Sequence, residues 1–127
     1  CIARLVFIKN RKIGLLISFN LIISTLLNIV FKNIFERPRP EGYRIISETG
    51  YSFPSGHSMI STAFYGLLVY LIFKNIKNNK IKWGMTIFLS FLAIGICCSR
   101  VYLGVHYASD VIAGFFTSIA YLMLSYC

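Results

Sequence analysis

Acidic side chains are scarce in this chain: four Asp and Glu stand against thirteen Lys and Arg, giving a formal net charge of +9. Three of the four, Glu36, Glu41 and Glu48, are scattered through one segment. No carboxylate cluster suited to magnesium is available, so no metal and no other cofactor is expected. Cysteine is limited to Cys1, Cys97, Cys98 and Cys127. None of them forms a CxxC pair or stands at zinc-ligand spacing from a histidine, which excludes a zinc site and leaves four small hydrophobes. Internal repeats, low-complexity stretches and a second domain are also missing, so residues 1–127 read as a single domain. Charged residues reach only 13% of the chain, too few for the polar shell of a soluble globule.

What is there instead is apolar. Hydrophobic residues make up 57% of the sequence and the mean hydropathy is +0.70. The apolar runs lie at about Ile13 to Phe31, Met59 to Phe73, Trp83 to Cys98 and Val111 to Tyr126. They are apolar nearly all round, and the segments between them are short. The pattern predicts an all-α transmembrane bundle of about four helices, the middle two at the short end of the spanning range.

Charge then orients the bundle. Arg4, Lys9, Arg11 and Lys12 precede the first run, and Lys74, Lys77, Lys80 and Lys82 fill the connection between the second and third. Both segments lack acidic residues and fall on the same side after two crossings. The positive-inside rule puts them in the cytoplasm. The excess of basic charge is therefore assigned to a membrane surface, with no nucleic-acid partner expected. On the outer side the helix count alone gathers three segments: Lys32 to Pro40 (KNIFERPRP), Pro54 to His57 (PSGH) and Ser99 to Asp110 (SRVYLGVHYASD).

Each segment carries groups suited to a phosphate. Lys32 closes a polar stripe, Asn20, Ser24 and Asn28, spaced at four, and the helix is predicted to end after it. Pro38 and Pro40 hold Arg37 and Arg39 on a stiff extended strip, and guanidinium groups grip phosphate oxygens in a fork. Ser55 is a predicted cap of the second helix, whose amino end, with Gly56 and His57, makes an anion site. His106 and Asp110 stand four apart at the predicted start of the fourth helix, where a carboxylate can orient an imidazole for attack. Arg100 is predicted in a turn with Gly104. Plainer readings stand beside these: snorkelling for Lys32, a headgroup-facing basic loop, a capping histidine, and a helix-start ion pair.

Together the segments resemble the phosphatidic acid phosphatase type 2 (PAP2) superfamily, whose signatures KxxxxxxRP, PSGH and SRxxxxxHxxxD all match in order. The resemblance implies a lipid phosphatase of the membrane that needs no metal. In it His106 attacks phosphorus to form a phosphohistidine, Asp110 orients His106, and His57 protonates the leaving oxygen. Lys32, Arg39, Ser55, Gly56 and Arg100 bind the phosphate, and the spacing makes Arg37 an accessory. Phosphatidate, phosphatidylglycerol phosphate and undecaprenyl diphosphate are the implied substrates, handled on the outer face of a bacterial plasma membrane.

Bacterial membrane members usually have six helices, so the chain is expected to lack N-terminal ones, with Cys1 to Ile8 the tail of an earlier helix. The loop from Glu41 to Phe53, with Tyr43, Arg44, Tyr51 and Phe53, is a candidate selector of headgroups. Haloperoxidases and soluble acid phosphatases of the superfamily fit the membrane runs poorly. The reading of a different class is a non-catalytic component that binds or transports anionic lipid, needing the arginines but not His57, His106 and Asp110.

Overall fold

The fold was obtained as a computed structural model, which describes residues 11–42, 45–46 and 49–126. Tyr43, Arg44, Glu48 and the segment from Cys1 to Ile8 lie outside the described residues. Four helices follow one another: α1 (Arg11–Phe35), α2 (Gly56–Asn75), α3 (Asn79–Tyr102) and α4 (Ala108–Tyr126). Each is long and apolar enough to cross a membrane. The expected all-helical bundle with four candidate spans is thus present, and no strand occurs among the described residues.

The helix ends differ in part from those expected, for physical reasons. Helix α1 does end after Lys32, at Phe35, as the prolines predict: Pro38 drives its predecessor out of helical backbone, and Glu36 already has a φ of 44°. The two middle helices outgrow their apolar runs. Helix α2 takes in the polar start Gly56-His57-Ser58, capped by Ser55 Oγ, which accepts from the Ser58 amide at 3.4 Å. Helix α3 starts at the Asn78 cap, whose Oδ1 accepts from Lys80 and Ile81. It then runs through Ser99 and Arg100 to Tyr102, so Arg100 is helical and does not lie in the turn. Helix α4 begins only at Ala108, which leaves His106 outside the helix.

Helix α2 is the centre and packs against all three others. Against α1 it runs antiparallel, with Asn20 Nδ2 donating to the Ala63 carbonyl at 3.0 Å and Asn28 Nδ2 to the Pro54 carbonyl at 3.2 Å. Against α4 it runs parallel, joined by the Ser55 amide to the Asp110 carbonyl (3.1 Å) and by Ser118 Oγ to the Met59 carbonyl (2.6 Å).

The interior is accordingly polar and the exterior apolar. Asn20, Ser24, Ser58, Asp110 and Ser118 are fully buried, whereas Phe91 and Leu124 are 75% and 88% exposed. A bilayer reverses the usual sorting, since lipid solvates leucine as well as protein does; close contact and interhelical hydrogen bonds, each worth roughly 0.6 kcal/mol, hold the helices together.

Gly114 lets α4 lie close against the start of α2. A Cβ there would lie 3.0 Å from the Ser55 carbonyl oxygen and 3.3 Å from the Met59 amide, both backbone atoms that cannot swing aside. Gly114→Leu is expected to wedge the two helices apart and cost about 1–3 kcal/mol, the usual range for overpacking. Thermal unfolding of the full-length protein in detergent checks this; an unchanged midpoint would show that the close approach is not required.

Candidate active site

The connections at one end of the bundle, between α1 and α2 and between α3 and α4, bring the three sequence segments together. The opposite end carries Arg11, Lys12, Lys74, Lys77, Lys80 and Lys82. A cavity of about 610 Å³ opens among the helices at the first end. Lys32, Arg39, Gly56, His57 and His106 line its mouth, while Leu21, Ile60, Ser61, Phe64, Tyr65 and Ile96 line the remainder. Leu21 and Lys32 are eleven positions apart on α1, so the wall spans ~16 Å along the helix at 1.5 Å per residue. A larger groove of about 710 Å³ between α3 and α4, lined by Cys97, Cys98 and apolar residues among others, holds no acidic or basic side chain.

Arg39 is held as a strap across the site. Its Nε donates to the Gly50 carbonyl (3.1 Å), Nη2 to Thr49 (3.2 Å) and Nη1 to Val105 (3.0 Å), and Nη1 lies 3.3 Å from His106 Nε2. Lys32 Nζ donates to the Tyr51 carbonyl at 3.1 Å. His57 stands exposed in the first turn of α2, and with Gly56 it places the positive end of that helix at the cavity. Ser55 and Arg100 are buried and do not line the cavity; Ser55 caps α2, and Arg100 lies one turn beyond Ile96 of its wall.

His106 is delivered by the turn after α3. Gly104 adopts a φ of 72°, left-handed backbone that glycine enters without a Cβ penalty, and its amide closes onto the Val101 carbonyl at 3.0 Å. The imidazole is buried. Its Nδ1 lies 2.9 Å from the Ser52 carbonyl oxygen. A carbonyl can only accept, so Nδ1 carries the proton and the Nε2 lone pair is left toward Arg39 and the cavity. Burial, with the charges of Arg39 and Lys32 added, pushes the His106 pKa down from 6.5 to about 4, against smaller opposing effects of Asp110 and the Ser52 carbonyl. The ring is therefore neutral at physiological pH, the state in which a nitrogen can attack.

Asp110 is placed differently from the expectation. With α4 starting at Ala108, the pair does not share a helical face, and Asp110 Oδ2 is 3.8 Å from His106 Nδ1, beyond hydrogen-bond range. The carboxylate instead occupies the third position of α4 and reaches back to the Tyr107 amide at 2.9 Å, as one half of a capping box. Its other donors are Ser52 Oγ and Arg37 Nη1.

Two contributors escape the sequence reading. Ser52 acts largely through its backbone, which no motif encodes. Arg37 was visible in the doubled Arg-Pro, yet its partner is seventy-three positions away. Among the described residues, no group of three His, Cys, Asp or Glu is placed to hold a metal ion.

Comparison with known proteins gives this geometry a lineage. The chain is 37% identical to phosphatidylglycerophosphatase B of Bacillus subtilis over 114 residues, which cover 89% of this chain and 56% of that protein. It is 36% identical to an undecaprenyl-diphosphatase of Sulfolobus acidocaldarius (87% of this chain, 52% of the relative) and 31% identical to a dolichyldiphosphatase of Saccharomyces cerevisiae (86% and 49%). The crystal structure of a transmembrane PAP2 type phosphatidylglycerolphosphate phosphatase from Bacillus subtilis superimposes with a TM-score of 0.85 at 35% identity, covering 94% of this chain and 60% of that one. The chain thus spans about half the length of the curated relatives it matches. Residues 13–127 match the family description "PAP2 superfamily", and with the three signatures converging on one cavity, the chain belongs to that superfamily.

Proposed function

We propose that this protein is an integral membrane lipid phosphatase that hydrolyses a phosphomonoester or diphosphate of a lipid through a phosphohistidine on His106. The observation that carries the reading is the cavity itself, in which His106, His57, Lys32 and Arg39 surround one end and apolar side chains continue for several helical turns below. A phosphorylated headgroup fits the first part and a lipid chain the second. Names of the relatives favour phosphatidylglycerol phosphate and polyprenyl diphosphates as candidates, with phosphatidate beside them.

In this mechanism Nε2 of neutral His106 attacks phosphorus as the bond from phosphorus to the lipid oxygen breaks. His57 gives its proton to that oxygen. Water then attacks the phosphohistidine with His57 taking its proton, the P–N bond breaks, and inorganic phosphate leaves. Arg39 already touches Nε2, so an arriving phosphate would take over that guanidinium, together with Lys32 and the Gly56 amide; for Arg100 and Ser55 a phosphate-binding role rests on the motif pattern, since neither lines the cavity. These groups supply the positive charge that phosphoryl transfer requires. The lysine-rich opposite end supports a cytoplasmic assignment for that end and an outer-face active site in the plasma membrane.

Three results are expected from the full-length protein in liposomes. His106→Ala lowers phosphate release by about 10³-fold or more, the scale of losing a nucleophile, while lipid binding persists; undiminished release would end the mechanism, and binding without any release by the unsubstituted protein would favour the lipid-binding reading. Release continues in excess EDTA; loss with recovery on adding magnesium would contradict a site built from Lys32 and Arg39. Because the His106 pKa is lowered, the ring stays neutral as pH falls through 6.5 and gains its proton, with loss of the Nε2 lone pair, only near pH 4. Nitrogen-15 NMR of labelled histidine reads this directly, and titration of His106 at 6.5 or above would contradict it.

A further inference from the structure

Asp110 is fully buried, and both of its oxygens are occupied by groups other than His106. Arg37 Nη1 donates to Oδ1 at 2.9 Å, while Ser52 Oγ and the Tyr107 amide donate to Oδ2. The Ser52 amide in turn donates to the Arg37 carbonyl at 2.7 Å. Arg37, Ser52 and Asp110 therefore form a closed ring of hydrogen bonds, drawn from the strip after α1, the approach to α2 and the first turn of α4. Arg37 is further fixed by Ser109 Oγ at 2.9 Å and by stacking over the Tyr107 ring, 4.3 Å from its centroid. The ring of three has one contact with the imidazole that is a hydrogen bond, the Ser52 carbonyl on His106 Nδ1 at 2.9 Å.

We propose that Arg37 and Ser52 are positioning residues for the reaction at His106, holding by way of the Ser52 carbonyl the imidazole that Asp110 faces at 3.8 Å. This rests on the reading of His106 as the nucleophile. The physical reason is that a backbone carbonyl selects the Nδ1–H tautomer only while it is held in line with the ring, and the groups flanking it set that position. Ser52 is pinned at its amide by Arg37 and at its hydroxyl by Asp110, so the carbonyl between them is fixed. Arg37 also supplies the counter-charge that Asp110 needs. Lys32, Arg39 and His57 share the cavity with the imidazole and are untouched by the ring.

The test is Ser52→Ala in the full-length protein, which removes one hydroxyl and one hydrogen bond while sparing the backbone. Release of phosphate from phosphatidylglycerol phosphate is expected to show kcat lowered about 10- to 100-fold with KM changed less than about threefold, the cost of a nucleophile displaced by a fraction of an ångström to one ångström. Ser52→Thr, which keeps the hydroxyl, is expected to recover much of kcat; if the added methyl prevents folding, Ser52→Ala decides alone. In nitrogen-15 NMR the unsubstituted protein should show His106 protonated at Nδ1, and Ser52→Ala should give a mixture of tautomers, a change that a merely structural role would not produce. Unchanged kcat together with an unchanged tautomer overturns the proposal. If the unsubstituted protein releases no phosphate, the phosphatase reading falls, and the tautomer measurement still decides whether Ser52 positions the ring.

Discussion

The buried carboxylate of Asp110 is the pin on which the site turns. It is the one buried acidic group among the described residues, and it gathers donors from three segments: Arg37, Ser52 and the Tyr107 amide. Leaving a buried charge without its partner costs about 3–5 kcal/mol in fully buried pairs; the cost here is lower because Arg37 is partly exposed. Even so, it ties the strip after α1, the approach to α2 and the start of α4 at one carboxylate, as the Arg39 guanidinium does from the cavity side. The start of α4 rests on it directly, and the proposed placement of His106 rests on it through Ser52.

That pin matters more in a membrane than it would in water. Burying leucine between helices gains little when lipid offers the same surroundings, so the bundle is held by small residues in close contact and by hydrogen bonds across helices. Gly114 lets the backbone of α4 approach Ser55 and Met59, Ser118 ties α4 to α2, and Asn20 and Asn28 tie α1 to α2. These contacts converge on α2, whose amino end forms the floor of the polar mouth. The polar residues that look out of place in a hydrophobic sequence are thus the ones that hold the fold and build the site.

Much of this was legible in the sequence. Four apolar runs and the sign of their flanking charges gave the helix count and the gathering of Lys32, Arg39, His57 and His106 at one end, because helix number alone decides which ends meet. Helix ends were less legible. The prolines after Lys32 did mark the end of α1, but Arg100 is helical because Ser99 and Arg100 tolerate helix once α3 is under way. The Asn20, Ser24 and Asn28 stripe was seen, but whether it served packing or chemistry depended on partners such as the Pro54 carbonyl. Least legible was the Ser52 carbonyl on His106: every residue has a carbonyl, so only the three-dimensional path of the chain could reveal that this one matters.

The proposed chemistry turns on a covalent bond from phosphorus to His106. The most direct measurement is to mix the full-length protein with a phosphorus-labelled lipid phosphate, quench within a single turnover in alkali, and map the label by mass spectrometry. The label is expected on the peptide that contains His106, stable to base and lost in acid, as a phosphorus–nitrogen bond requires. Phosphate released with no labelled protein at any time, or label on another residue, would contradict it.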